Sequence, residues 1–240
     1  MTCVGWVSLK TKEIVDAALA SVPFALGSRP NSFVLGELPA IDRYRGRVTR
    51  IIAGFAGSLP LDVPKVGTRP TSDRVREAIF SSLEARDAIE GARVVDLYAG
   101  SGALGLEAAS RGARVVTLVE KSLPATQSCR KNAAKVQKSA PRGHELAIEV
   151  TGSPVQAFLT SSLAEWDLAF IDPPYELGQA ELVHNLEQLA PRLSDGAIVV
   201  VERSSRDPEP AWPEGLELEK RKDYGDTTLW WVVRVIPVVV

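Results

Sequence analysis

The residues best equipped for chemistry are Asp172-Pro173-Pro174-Tyr175, which follow the run Trp166-Asp167-Leu168-Ala169-Phe170-Ile171. That run reads as a short strand buried on both faces. Two consecutive prolines cannot extend a central strand, so the backbone leaves the sheet in a rigid, extended turn. The turn presents a carboxylate, carbonyls with no neighbouring N–H to occupy them, and an aromatic face. It does so at the carboxyl end of a strand, the edge where open α/β sheets bind ligands. Such a set suits a planar base with an exocyclic amine: acceptors for the amine N–H groups and a ring to stack on. Taken alone, the tetrapeptide is equally compatible with a plain proline-rich turn.

A second constellation lies upstream, in Asp96-Leu97-Tyr98-Ala99-Gly100-Ser101-Gly102-Ala103-Leu104-Gly105. Gly100, Gly102 and Gly105 satisfy the G-x-G-x-x-G spacing of a nucleotide-binding loop between a strand and a helix. Glu120 ends the next strand, where an acid binds ribose hydroxyls. Asp96 selects among nucleotides. A dinucleotide offers its pyrophosphate to such a loop, and a carboxylate at the end of the preceding strand would repel it. S-adenosylmethionine has no phosphate and carries a sulfonium and an α-ammonium, which Asp96 can attract. The backbone of Ala99, Gly100 and Ser101 remains available to the polar cofactor.

These residues need a scaffold, and the hydrophobic pattern supplies one. From Gly91 onward, strand candidates at 93–97, 114–120, 146–151, 166–171 and 197–202 alternate with helix candidates at 102–111, 123–138, 154–163 and 178–191. Alternating β and α units predict a mostly parallel sheet covered by helices, a Rossmann-like α/β fold. The tail departs from this: Leu216 to Lys222 and Thr227 to Val235 flank Tyr224-Gly225-Asp226 as an antiparallel hairpin. Ahead of the regular region, residues 48 to 66 suggest two short strands in a small hairpin. Thr71-Ser72-Asp73 caps a helix from about 73 to 85 with Val75, Ile79, Phe80 and Leu83 on one stripe. The expected organisation is an extension over 1–47, weakly ordered, a hairpin and helix over 48–90, and a cofactor-binding domain over 91–240.

Composition is that of an ordinary globular protein, with 45% hydrophobic and 24% charged residues. No apolar run approaches the ~20 residues that span a bilayer, and no secretory signal pattern is present. Two distant cysteines, Cys3 and Cys129, form neither a metal spacing nor a disulfide framework, which suggests a reduced, cytoplasmic setting. His144 and His184 are isolated, so no metal is expected. Residues 42 to 77 hold eight basic side chains and four acids, a local +4 in a chain of net charge −2. A basic flank of this kind engages a polyanion through few phosphates, or is simply a solvated surface.

The combination of D-x-x-A-G-S-G-x-L-G, Glu120 and Asp-Pro-Pro-Tyr resembles the class I S-adenosylmethionine-dependent amino-methyltransferases. Arg50-Ile51-Ile52-Ala53-Gly54, Thr68-Arg69-Pro70-Thr71-Ser72-Asp73-Arg74-Val75-Arg76-Glu77-Ala78-Ile79-Phe80 and the glycine loop through Ala108 narrow the resemblance to the RsmD family. These are bacterial enzymes that methylate the N2 amine of a guanine in 16S ribosomal RNA. The resemblance runs from about Thr49 to Val235. It implies that S-adenosylmethionine is the donor and that ribosomal RNA is the substrate, in an assembling small-subunit particle in one version, with the enzyme a monomer. It further implies that Asp172 and the Pro173 carbonyl accept from the target amine, that Pro174 and Tyr175 complete that site, and that Thr71 lies near the methionine end of the cofactor. Arg50, Arg69, Arg74 and Arg76 become candidates for RNA phosphate or cofactor contact. One departure is visible. Relatives of this class often hold the adenine amine with Asp or Asn after the third strand, where this chain has Thr151-Gly152-Ser153-Pro154, so Ser153 or backbone groups must serve. The first 47 residues lie outside the resemblance, as an arm or as sequence upstream of a start near Val48. Three other readings remain open on residues alone, one of them a nucleic-acid-binding module that keeps the fold without turnover. An adenine-N6 DNA methyltransferase would share Asp-Pro-Pro-Tyr, and a nicotinamide-dependent oxidoreductase would share the glycine loop and Glu120.

Overall fold

The computed structural model describes residues 49–64 and 72–236, all within the compact unit Gly46–Val240. Thr71, Arg69 and the expected extension over 1–47 lie outside the described residues. The ordered elements are α1 (Asp73–Glu84), β1 (Arg93–Leu97), α2 (Ala103–Ser110), β2 (Val115–Val119), α3 (Leu123–Ser139) and β3 (Ala147–Thr151). They continue with α4 (Val155–Ser161), β4 (Trp166–Ile171), α5 (Gln179–Leu189), β5 (Leu193–Ser204), β6 (Leu216–Tyr224) and β7 (Thr227–Arg234).

Seven strands form one sheet in the order β3-β2-β1-β4-β5-β7-β6. The first five are parallel, and the β6–β7 hairpin closes the far side antiparallel. The chain walks outward from β1 to β3, then crosses back to lay β4 on the other side of β1. The carboxyl ends of β1 and β4 therefore flank the point where strand order reverses, where such sheets open a crevice. The glycine loop leaves β1 there, and Asp-Pro-Pro-Tyr leaves β4.

Strand alternation divides the core into two layers. Val94, Val116, Leu168, Phe170, Ile198 and Val200 pack with α1, α2 and α3. Val95, Val119, Ala169, Ile171, Val199 and Val201 pack with α4 and α5 on the opposite face. Central strands covered on both sides must be apolar throughout, which is why these runs lack polar alternation. Helix α1 begins where the sequence puts it: the Ser72 hydroxyl accepts from Val75 N–H, and Val75, Ile79, Phe80 and Leu83 are buried. No helix among the described residues is long and apolar enough to cross a membrane.

The expected hairpin before α1 is present only in minimal form, as one antiparallel bridge between Arg50 and Pro60. Ile51, Ser58 and Leu61 N–H donate within it, to the carbonyls of Leu59, Ile51 and Thr49, while the donors near its tip go elsewhere. The Glu107 carboxylate accepts from Ile52 and Ala53 N–H (2.6 and 2.9 Å), and Ser110 takes Ala56 N–H on its hydroxyl and Phe55 N–H on its carbonyl. Clasped onto α2 in this way, Ile52, Ala53, Phe55 and Ala56 have no N–H left to extend the ladder. Strand β5 also starts earlier than its apolar run, because Leu193 pairs with Trp166 ahead of a register shift.

Candidate active site

The glycine loop is held from below by Asp96. Its carboxylate is 1% exposed and accepts from Gly105 N–H at 2.8 Å. Burial pushes its pKa up to about 7; the Gly105 N–H opposes this, while nearby Asp172 and Glu120 add to it. Gly105 has no room for a side chain: a Cβ would stand 2.3 Å from Leu118 Cδ2. Gly102, immediately before α2, adopts φ +81, which glycine reaches without strain. Tyr98 pays for the loop's shape with a positive φ of 68, a conformation bulky residues seldom adopt. Asn185 Nδ2 of α5 donates to its hydroxyl at 2.7 Å, and burial pushes the phenol pKa up. From above, Glu120 accepts Gly100 N–H (2.9 Å) and Ser122 N–H (2.7 Å), joining the loop to the start of α3. Asn132, fully buried in α3, donates to the carbonyls of Ser101 and Asp62 and accepts Asp62 N–H.

On the neighbouring strand, the turn after β4 is braced internally and from β5. Leu177 N–H donates to the Pro174 carbonyl, and the buried Arg203 guanidinium donates to the Leu177 carbonyl at 2.9 Å while pairing with Asp207 at 2.8 Å. Pro173 is buried, Asp172 is half-buried, and Tyr175 is 57% exposed. Rigid backbone thus carries an aromatic face at a solvent rim.

Both turns open into one cavity of about 410 Å³. Of the residues expected to act, Asp96, Ala99, Gly100, Ser101, Glu120 and all four of Asp172-Pro173-Pro174-Tyr175 line it. Gly102 and Gly105 shape the loop behind its wall. Ser72, the first described residue after Thr71, lines it as well. Ser153 does not; its hydroxyl donates to the Pro154 carbonyl at 3.2 Å. Arg50 and Arg74 are exposed and stand off the cavity. Arg76 requires a correction: its side chain is fully buried and donates to the Arg50 carbonyl (2.9 Å) and to Asp73 (2.7 Å). A guanidinium with no surface cannot meet an RNA phosphate, so Arg76 is a structural cation.

The cavity includes residues not anticipated from the sequence, among them Tyr98, Glu202, Tyr224, Asp226 and Thr227. A signal for one of these exists: Glu202 ends the apolar run of β5 as Asp172 ends that of β4. Among the described lining residues, Asp96, Glu120, Asp172, Glu176, Glu202 and Asp226 face a single cation, Lys121. An acidic cavity of this kind disfavours a pyrophosphate and suits a ligand with a sulfonium and an ammonium. The described acids form no group that could hold a metal ion. The donor set therefore fits S-adenosylmethionine, beside a rim built to accept from an amine.

Together, the topology and this two-ended cavity define a class I S-adenosylmethionine-dependent methyltransferase. Comparison with known proteins agrees. The model of the family described as conserved hypothetical protein 95 matches residues 49–233, and the chain belongs to that family. It is 36% identical over 177 residues to the ribosomal RNA small subunit methyltransferase D of Escherichia coli (strain K12), covering 73% of this chain and 85% of that protein. With the protein of the same name from Haemophilus influenzae it shares 33% identity over 179 residues, covering 73% and 89%. Among solved structures, a hypothetical protein of Thermus thermophilus superposes with a TM-score of 0.66 at 31% identity, covering 78% of this chain and all of that one. The resemblance to the RsmD family read from the motifs is thereby borne out.

Proposed function

We propose that this protein methylates the exocyclic N2 amine of a guanine in 16S ribosomal RNA of the small subunit. The observation that carries the reading is the meeting of the glycine loop and the Asp-Pro-Pro-Tyr turn in one cavity, at neighbouring strand ends. When bound, S-adenosylmethionine supplies an electrophilic methyl on a sulfonium. Glu120 takes the ribose hydroxyls, and Asp96 attracts the cationic methionine end. Asp172 and the Pro173 carbonyl accept the two amine N–H bonds, while Tyr175 stacks on the base. An aryl amine is a poor nucleophile because its lone pair is delocalised into the ring. Acceptors on its N–H groups favour localisation of that pair, and orientation toward the methyl supplies much of the rate. As the nitrogen–methyl bond forms and the methyl–sulfur bond breaks, the amine proton leaves toward the Asp172 carboxylate or solvent.

A base stacked in a helix cannot reach this cavity, so the target is flipped or presented from a loop or junction. Exposed Arg50 and Arg74 would meet phosphates of the bound RNA, with Arg69 a further candidate. A modest net charge suits a substrate whose surface is partly formed by ribosomal proteins in an assembling subunit, met by a monomeric enzyme in the cytoplasm. The expected result is that small-subunit ribosomal RNA from cells lacking the protein has lost one N2-methylguanine by mass spectrometry. An unchanged modification profile overturns the reading.

A further inference from the structure

The carboxylates on the cavity wall are not scattered. Val94, Phe170 and Val200 share one face of the sheet, and side chains alternate along a strand. Asp96, Asp172 and Glu202, each two residues further along β1, at the exit of β4 and along β5, therefore project to that same face. Ile171 pairs with Val201 across β4 and β5, so Asp172 and Glu202 are next neighbours one strand spacing apart, about 4.8 Å. Both line the cavity. Glu202 is half-buried, and the end of its strand is fixed by Ser205 N–H donating to the Asp226 carbonyl in the β6–β7 turn at 2.9 Å.

We infer that Glu202 is the residue that distinguishes guanine from adenine, by accepting the N1–H of the base while Asp172 accepts from its amine. This rests on the functional reading above and adds to it the identity of the base. An acceptor beside an amine serves either purine, since both present N–H groups there. The neighbouring ring atom differs: guanine N1 carries a proton, whereas adenine N1 carries a lone pair. A second carboxylate beside the first therefore completes a guanine edge and sets two lone pairs against each other with adenine. In a half-buried site such lone-pair repulsion is a strong basis for rejection. Tyr224 and Thr227, on the same wall, extend this subsite away from the glycine loop.

The test uses the full-length enzyme and synthetic RNA spanning the nucleotide that the wild type methylates, prepared with guanine, 2-aminopurine or adenine at that position. 2-Aminopurine keeps the target amine and has a bare N1. The wild type is expected to favour guanine over 2-aminopurine in kcat/KM by about 10- to 100-fold. Glu202→Gln keeps the size of the side chain and adds an N–H donor. It should lower kcat/KM on guanine by about tenfold or more, raise the relative rate on 2-aminopurine, and leave calorimetric affinity for S-adenosylmethionine unchanged. A Glu202→Gln enzyme that slows both bases equally, preserving their ratio, would overturn the inference and make Glu202 a structural residue. A wild type that methylates the adenine RNA and not the guanine RNA overturns the functional reading itself.

Discussion

The two ends of the parallel sheet use the same residue types for opposite purposes. At the amino ends, Asp167 of β4 receives Arg93 of β1 through its backbone N–H, its Nε (3.0 Å) and its Nη2 (2.7 Å), with Glu165 on the remaining Nη1. Hydrogen bonds from Arg93 chiefly hold the Asp167 carboxyl down at about 2, and its carboxylate partners raise the pKa of Arg93. At the carboxyl ends of the same two strands, Asp96 is enclosed with Asp172 and Glu120 nearby, and burial lifts it to about 7. One end is settled by a matched cation. The other crowds like charge and bends the backbone at Tyr98, which is where a protein keeps interaction energy for a ligand.

The sharpest way to break this contrast is at Asp172. Asp172→Ala should cut methyl transfer by at least about 100-fold while leaving calorimetric affinity for S-adenosylmethionine near that of the wild type. An equal loss of both would move Asp172 to the donor side of the cavity.

Asp96 sharpens the contrast through pH. A cationic donor favours the ionised carboxylate, so affinity for S-adenosylmethionine should climb as pH rises from about 6 to 8, through the folded pKa near 7. Asp96→Asn should bind about tenfold more weakly above pH 7 and show a flat profile over that range. The unliganded protein should behave inversely. Because the folded carboxyl keeps a proton that the unfolded one releases near pH 4, its contribution to stability is complete below that pH. It declines as pH rises toward 7, and denaturant titrations of Asp96→Asn should lack the slope.

The smallest effect belongs to the settled end. Arg93→Ala should cost about 1–2 kcal/mol in denaturant unfolding, since both partners are roughly one-third exposed and water screens them. Donor affinity should not change. The stabilisation from Asp167 is present above its unfolded pKa near 4 and disappears as pH falls through about 2, so the difference between variant and wild type should close over that window.

Much of this organisation was legible in the sequence because short-range rules generate it. β1 and β4 span the residues that their apolar runs indicated, and Ser72 caps α1 where a capping side chain was expected. The glycine loop and the proline turn announce themselves because few other residues can make such backbone paths. What stayed hidden depends on register between distant strands. Glu202 ends the apolar run of β5, but only the pairing of β5 with β4 sets it beside Asp172, and Tyr98 gives no sign in sequence of its positive φ. Arg76 misled for a related reason: its place in a basic segment suggested surface, while helical phase turned it inward beside Val75, Ile79 and Phe80. The short hairpin stays minimal because the N–H groups near its tip are claimed by Glu107 and Ser110, residues more than fifty positions away.

Asn132 has an architectural consequence. One amide group pins both Ser101 under the donor loop and Asp62 in the clasped segment to the same turn of α3. Thr49 and Val63, at the two ends of that segment, form part of the cavity wall. The stretch ahead of α1 is thus a side panel of the reaction chamber, bolted to its floor, and trimming the chain into it would unroof the chemistry.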